Sequence, residues 1–236
     1  MMRPVTQSSP DNLLLARLAP RDRRRLLAAG ERVHLLAGSV LAEAGDPLAH
    51  AIFPIDSSIS VLVPLARLPP LEVGLIGREG MLGLPLEFGS GASVLRAVVQ
   101  GAGSAWRVDA ARFSRQLGAS AGLHAALNRY GHVRFAQLAQ TVACKSFHRL
   151  EQRLARWLLM SADRASCNEL LLTHEFLAQT LGVRRAGVTL AARALQERRL
   201  IRYARGHVAL LDVRALEAVA CSCYATEKKT YARLMS

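Results

Sequence analysis

The chain has 236 residues, 51% of them apolar, enough for one large domain or two modest ones, each with its own core. No apolar run approaches the roughly 18 residues that span a bilayer, and the opening MMRPVTQSSPDNLL lacks the charged-then-apolar layout of a secretion signal, so a soluble, cytoplasmic protein without a membrane partner is expected. Lys and Arg number 31 against 18 Asp and Glu, a net charge of +13. Residues 145–236 hold 16 basic and 8 acidic side chains, a larger share than the 15 and 10 of the first 144. Such an excess suits a polyanion, although an arginine-rich solvated surface would carry the same charge.

After a polar N-terminal arm, DNLLLARLAPRDRRRLLAAG reads as one or two short helices stopped by Gly30. The period then changes. ERVHLLAGSVLAEAGDPLAHAIFPIDSSISVLVPL and PLEVGLIGREGMLGLPLEFGSGASVLRAVVQGAGSAWRVD alternate over short runs, with turn residues at Ala37-Gly38, Gly45-Asp46-Pro47 and Asp56-Ser57-Ser58. Short strands with Gly-rich turns indicate a sandwich or barrel.

From about Arg112 the period is helical again, with few breakers beyond Gly122 and Gly131. Leu123, Leu127 and Tyr130 form one stripe; Val133, Ala136, Gln140, Ala143 and Phe147 share a face, and Phe135, Leu138 and Val142 occupy another. A helix apolar on two sides must be covered on both: one side is expected on the β domain and the other on a partner copy, with Ala136 and Ala143 admitting a close second helix. EQRLARWLLMSADR follows as a separate amphipathic helix with Leu154, Trp157 and Leu158 inward.

Thr173 is an N-cap for HEFLAQTL, whose apolar face is Phe176, Leu177 and Leu181. Gly182 supplies the positive φ of a tight turn. The next helix, VRRAGVTLAARALQERRL, buries Val188, Ala191, Ala192 and Leu195 and turns Arg184, Arg185, Thr189, Arg193 and Gln196 outward. This is a helix–turn–helix layout, in which the second helix offers its N-terminal residues to the major groove. LIRYARGHVALLD then reads as a β-hairpin wing with a basic tip at Arg205-Gly206-His207.

On these residues, Leu172–Asp212 resembles the winged helix–turn–helix of the bacterial Crp/Fnr transcription regulators. LAGSVLAEAGDPLAHAIFPIDSSISVL and VGLIGREGMLGLPLEFG resemble that family's cyclic-nucleotide-binding-type β-roll, and EQRLARWLL its helix entering the DNA-binding domain. The resemblance runs from about Asn12 to Leu216. It implies an α+β chain: an N-terminal jelly-roll-like β-roll at 12–118, a long central dimerisation helix at 119–148, a winged helix–turn–helix at 149–216 and a C-terminal helical extension at 217–236. The implied function is a homodimer reading a palindromic site in double-stranded DNA, with RNA polymerase as a further partner if it activates. The implied recognition helix is about 184–198. Arg185 takes the position of a base-reading arginine, Arg184 and Thr189 come next, Thr173 and Arg193 suit phosphates, and Arg205 is the basic residue of the wing. Ala186 and Leu190 stand where glutamate and a second arginine are common, so the half-site should differ from that of well-studied members.

Family members that bind cyclic nucleotides use Gly-Glu-x-Gly and a later Arg-Ser or Arg-Thr around the phosphate. This chain reads Gly80-Met81-Leu82-Gly83 and Ala92-Ser93, and Arg96 lies too far along. Without that glutamate and that arginine, cyclic AMP or GMP is not expected; Gly80, Met81, Gly83 and Ser93 remain as candidates for a degenerate pocket of unknown ligand. Members with an iron–sulfur cluster use N-terminal cysteines, whereas the first cysteine here is Cys144. Cys144 and His148 are one helical turn apart, and Cys221-Ser222-Cys223 is a close pair; two thiols and an imidazole suit zinc. The plainer expectation is reduced thiols, Cys167 among them, and no metal site is assigned, which leaves open a redox or metal role for Cys144, Cys221 and Cys223.

No catalytic constellation emerges. HEFLA begins like the zinc-protease helix but has Ala178 where the second histidine belongs. The alternative to a DNA-binding regulator is a β-roll sensory or scaffolding module acting through protein partners.

Overall fold

The computed structural model describes residues 12–236; the polar N-terminal arm lies outside them. Two short helices, α1 (Leu13–Ala16) and α2 (Pro20–Ala28), open the chain. Asn12 fixes α1 in place: its Oδ1 accepts from Leu15 N at 3.0 Å, and its Nδ2 donates to the Pro54 and Gly80 carbonyls at 2.8 and 2.9 Å. Pro20 starts α2, where a missing N–H costs nothing.

Seven strands follow: β1 (Gly30–Leu35), β2 (Val40–Ala42), β3 (His50–Pro54), β4 (Ser58–Leu65), β5 (Leu68–Ile76), β6 (Arg96–Gly101) and β7 (Gly103–Asp109). They form two antiparallel sheets, β1-β7-β3 and β2-β6-β4-β5. Their apolar residues, Leu35, Ile52, Ile59, Val61, Ile76, Val99 and Ala105 among them, make one core between the sheets. This is the expected jelly-roll-like β-roll, with Gly38 and Gly45 at positive φ in the turns the sequence marked.

Helix α3 (Ala110–Gly118) is capped by Asp109, which accepts from Ala111 N and Arg112 N. Helix α4 (Ala121–Phe147) is 27 residues long, about 40 Å, and is capped by Ser120. Leu123, Ala126, Leu127, Tyr130 and Val133 bury its first half against Phe53, Met81, Val108 and Phe113. Extended backbone at His148 and Arg149 then separates it from α5 (Leu150–Ala165).

The C-terminal unit adds β8 (Glu169–Leu171), α6 (His174–Leu181), α7 (Arg185–Glu197), β9 (Ile201–Ala204) and β10 (His207–Leu210), with sheet order β8-β10-β9. Its core joins Leu154, Trp157 and Leu158 of α5 to Leu177, Leu181, Val188, Leu195, Ile201 and Val208. The expected boundary at residue 216 falls inside α8 (Val213–Val219), and the final helix is α9 (Cys223–Leu234).

Helix α9 does not trail away. It packs along α4 and α5, and Met235 beyond it is buried in the core beneath the β-roll. Ala136 and Gln140 of α4 face Thr226, Glu227 and Thr230 across a small gap. The close second helix that the small residues of α4 admit is thus supplied within the chain. Phe147, expected on that covered face, is instead 84% exposed, because it is the last residue of α4 and its side chain is left in solvent. Phe135 and Val142 are also bare, at 76% and 67%.

Candidate nucleic-acid interface

The bihelical unit forms where the residues dictate it. Thr173 Oγ1 accepts from Phe176 N at 3.1 Å to start α6, and Gly182 ends it in the left-handed region at φ 65°. Phe176 meets the Trp157 ring edge-on, centroids 5.9 Å apart. In α7, Val188, Ala191, Ala192 and Leu195 are buried as their spacing requires. The wing turns through Arg205 and Gly206 at φ 50° and 82°. Two successive positive φ values match the twist of flanking strands and explain the glycine there.

Arg184, Arg185, Ala186, Thr189, Leu190 and Arg193 all face solvent, as do Thr173 and Arg205. Arg184 precedes α7 and Arg185 opens it, so both guanidiniums project from the end where backbone N–H groups are unpaired. Thr189 is less free than the sequence suggests. Its Oγ1 donates to the Arg185 carbonyl at 3.2 Å and lies 3.0 Å from His174 Nδ1. His174 stacks on Tyr203, centroids 4.4 Å apart; burial, reinforced by the nearby Arg185 charge, pushes its pKa down, so this face carries a neutral imidazole at neutral pH. Arg193 pairs with Glu197 at 2.8 Å, both ends well exposed, a contact worth a few tenths of a kcal/mol that a phosphate can displace.

Gln196 departs from expectation. Its side chain turns onto the wing and accepts from Tyr203 N, because β9 runs beside the end of α7 and needs an acceptor there. Leu190, marked in the sequence by the arginine it replaces, is 69% exposed at the middle of the free face. The third wing strand, β8, is illegible in the sequence: three residues with a single buried side chain give no period to read.

The docking of this unit leaves the free face uncovered. Helix α6 lies against β5, with Gly182 beside the Leu71 side chain. Trp157 Nε1 donates to Glu72 Oε1 at 2.8 Å, Ser60 donates to the other oxygen at 2.6 Å, and Lys145 Nζ donates to the Glu72 carbonyl at 2.8 Å. On the other side Arg164 bridges Glu79 at 3.0 Å and Glu227 at 2.7 Å, and Arg156 takes the second Glu227 oxygen at 2.9 Å. Burial pushes Glu227 up, but the two guanidiniums outweigh it and hold the carboxyl below its ordinary value. A cavity of about 420 Å³, lined by Arg78, Glu79, Asp163, Arg164, Tyr224 and Glu227, sits at this joint.

The degenerate-pocket candidates sit among packing contacts and a local hydrogen bond. A Cβ on Gly80 would sit 2.0 Å from the Tyr130 hydroxyl, and Met81 is buried beside the same ring in the core under the β-roll. Gly83 takes φ 110° against Ala51. Ser93 Oγ donates to the Leu95 carbonyl at 2.6 Å. Cys144, Cys221 and Cys223 are buried together at the foot of α4, whereas Cys167 is exposed.

Residues 152–219 match the family model of the Crp-like helix–turn–helix domain. No curated protein matches the sequence. Among solved structures, a chain from Eubacterium rectale assigned to the Crp/Fnr transcriptional regulators aligns at TM-score 0.67 and 18% identity, covering 89% of this chain and 98% of that one. FixK2 of Bradyrhizobium japonicum gives 0.68 and 12% over 81% and 98%, and a Crp-family transcriptional regulator of Thermus thermophilus gives 0.65 and 19% over 80% and 96%. Residues 152–219 are therefore similar to the Crp-like helix–turn–helix domain, and the chain that carries them has the fold of the Crp/Fnr transcriptional regulators.

Proposed function

We propose that the protein is a homodimeric, sequence-specific DNA-binding transcription regulator of the cytoplasm, joined along α4 and reading a palindromic site with α7. The observation that carries this is the free face of α7, where Arg184, Arg185, Thr189 and Arg193 stand in solvent on a rigid helix whose other side is the domain core. Arg185 reads guanine through O6 and N7. Arg184 and Thr189 contact the neighbouring base edges, and Thr173, Arg193 and Arg205 contact phosphates on either side. Leu190 sets its apolar surface against a thymine methyl group, an interaction the major groove offers at A·T pairs alone.

The dimer seam is Phe135, Leu138 and Val142, at the three-four spacing of two helices in register. Phe135 and Val142 are exposed large apolar residues of α4 facing away from α9 and the β-roll. Pairing two copies there places the recognition helices in successive major grooves, roughly 34 Å apart. Mixed promoter DNA titrated against the full chain by fluorescence anisotropy at rising salt tests the reading. Binding that falls steeply and linearly with log salt is expected; no binding at low salt would leave the β-roll acting on protein partners.

A further inference from the structure

Four side chains that the DNA-binding reading leaves unused meet at the foot of α4. We propose that Cys144, His148, Cys221 and Cys223 form a tetrahedral three-thiolate, one-imidazole site for a zinc-class divalent metal, clamping the end of the central helix to the start of α9. In the sequence Cys144 and His148 stand one turn apart and Cys221 and Cys223 two residues apart. What brings the pairs together is the return of α9 along α4.

The distances suit one ion. The four ligand atoms all lie within 4.8 Å of one another, Cys144 Sγ is 3.5 Å from Cys221 Sγ, and Cys223 Sγ is 3.4 Å from His148 Nδ1. Bonds of about 2.3 Å to sulfur and about 2.0 Å to nitrogen give tetrahedron edges of about 3.8 and 3.5 Å. The three sulfurs are buried and the imidazole half-buried, so the set is closed, without the open position of a catalytic metal.

Arg153 and Arg156 line the small cavity that Cys144 also borders, so two guanidiniums sit beside a cluster whose formal charge with a divalent ion is minus one. Gln140 Nε2 donates to Cys223 Sγ at 2.9 Å, the kind of contact that orients a thiolate for a metal. Binding takes three thiol protons off the protein, so affinity falls as pH is lowered. Because the ligands lie on both sides of the His148–Arg149 break, a bound ion fixes how α9, and with it α5, sits on α4.

The test is independent of DNA. The reduced full chain, stripped of metal, is titrated with Co²⁺ and followed by visible absorption, then competed with Zn²⁺. One equivalent per chain, with the intense bands of tetrahedral thiolate cobalt that zinc abolishes, is the expected result. Cys144→Ser and Cys221→Ser should lose the bands, Cys167→Ser should keep them, and Gln140→Ala should weaken binding about 10- to 100-fold. Should a serine variant fail to fold by far-UV circular dichroism, Cys223→His, which keeps a donor, retains tetrahedral cobalt. A folded, reduced wild type that shows no such bands, or bands that survive in a folded Cys144→Ser/Cys221→Ser chain, overturns the site.

Discussion

Glu227→Ala removes the carboxylate that holds α9 against α5. Glu227 accepts from Arg156 at 2.9 Å and from Arg164 at 2.7 Å, and all three side chains are at most 8% exposed. The alanine leaves two guanidiniums buried, one of them still facing Glu79 and the other without a carboxylate. Removing one partner of a buried pair costs about 3–5 kcal/mol, because the remaining charge has lost its solvation and its counter-ion together. Unfolding entropy of about 2.1 cal/mol/K per residue comes to about 0.5 kcal/mol/K for this chain, so the midpoint should drop by about 6–10 °C. Denaturant unfolding followed by circular dichroism gives the free energy, and differential scanning calorimetry the midpoint. The pH dependence carries a sign. Since the folded pKa of Glu227 lies below its ordinary 4.5, its contribution is complete above that value and disappears as pH falls through the folded pKa. The gap between wild type and variant should therefore be full at pH 7 and narrow in acid. A loss under about 1 kcal/mol at pH 7 would mean that water reaches both guanidiniums and that the joint is not closed.

Arg185→Ala should cost about 1–3 kcal/mol at one base pair of the site, whereas Arg193→Ala should weaken all sequences alike and lower the salt slope by about one; equal losses on specific and random DNA for both variants would refute that division. Phe135→Glu with Val142→Glu puts charge on the bare stripe of α4, and sedimentation should show monomers where the wild type sediments as a dimer; an unchanged dimer would move the seam elsewhere. Gly80→Ala drives a methyl group into the Tyr130 ring and should destabilise the chain by about 1–3 kcal/mol. A neutral effect in thermal unfolding would show that the ring can withdraw and that this corner is not packed.

Local chemistry leaves a readable record in particular segments. The helix expected over about 184–198 is α7, because an apolar stripe at helical spacing leaves one face to bury. Thr173 and Gly182 fix the ends of α6 by a side-chain acceptor and a left-handed residue, both visible in a few letters of sequence. Gly80 and Met81 are harder to read. Their place beside the Tyr130 ring depends on α4 crossing the β-roll, which no local pattern records. Gln196 escapes a sequence reading for a similar reason: its partner, Tyr203 N, lies on the wing.

The amino-acid order alone determined the run of short strands, the long helix and the winged bihelical unit, since periods of two and 3.6 and the turn residues act over a few positions; the roll itself was implied by the resemblance. Only the tertiary structure decided what α9 does. Cys144 and Cys221 are 77 residues apart, Arg156 and Glu227 are 71 apart, and no local period links them. They meet because an apolar helix face had to be covered and the chain's own last helix was within reach, bringing its thiols and its carboxylate with it.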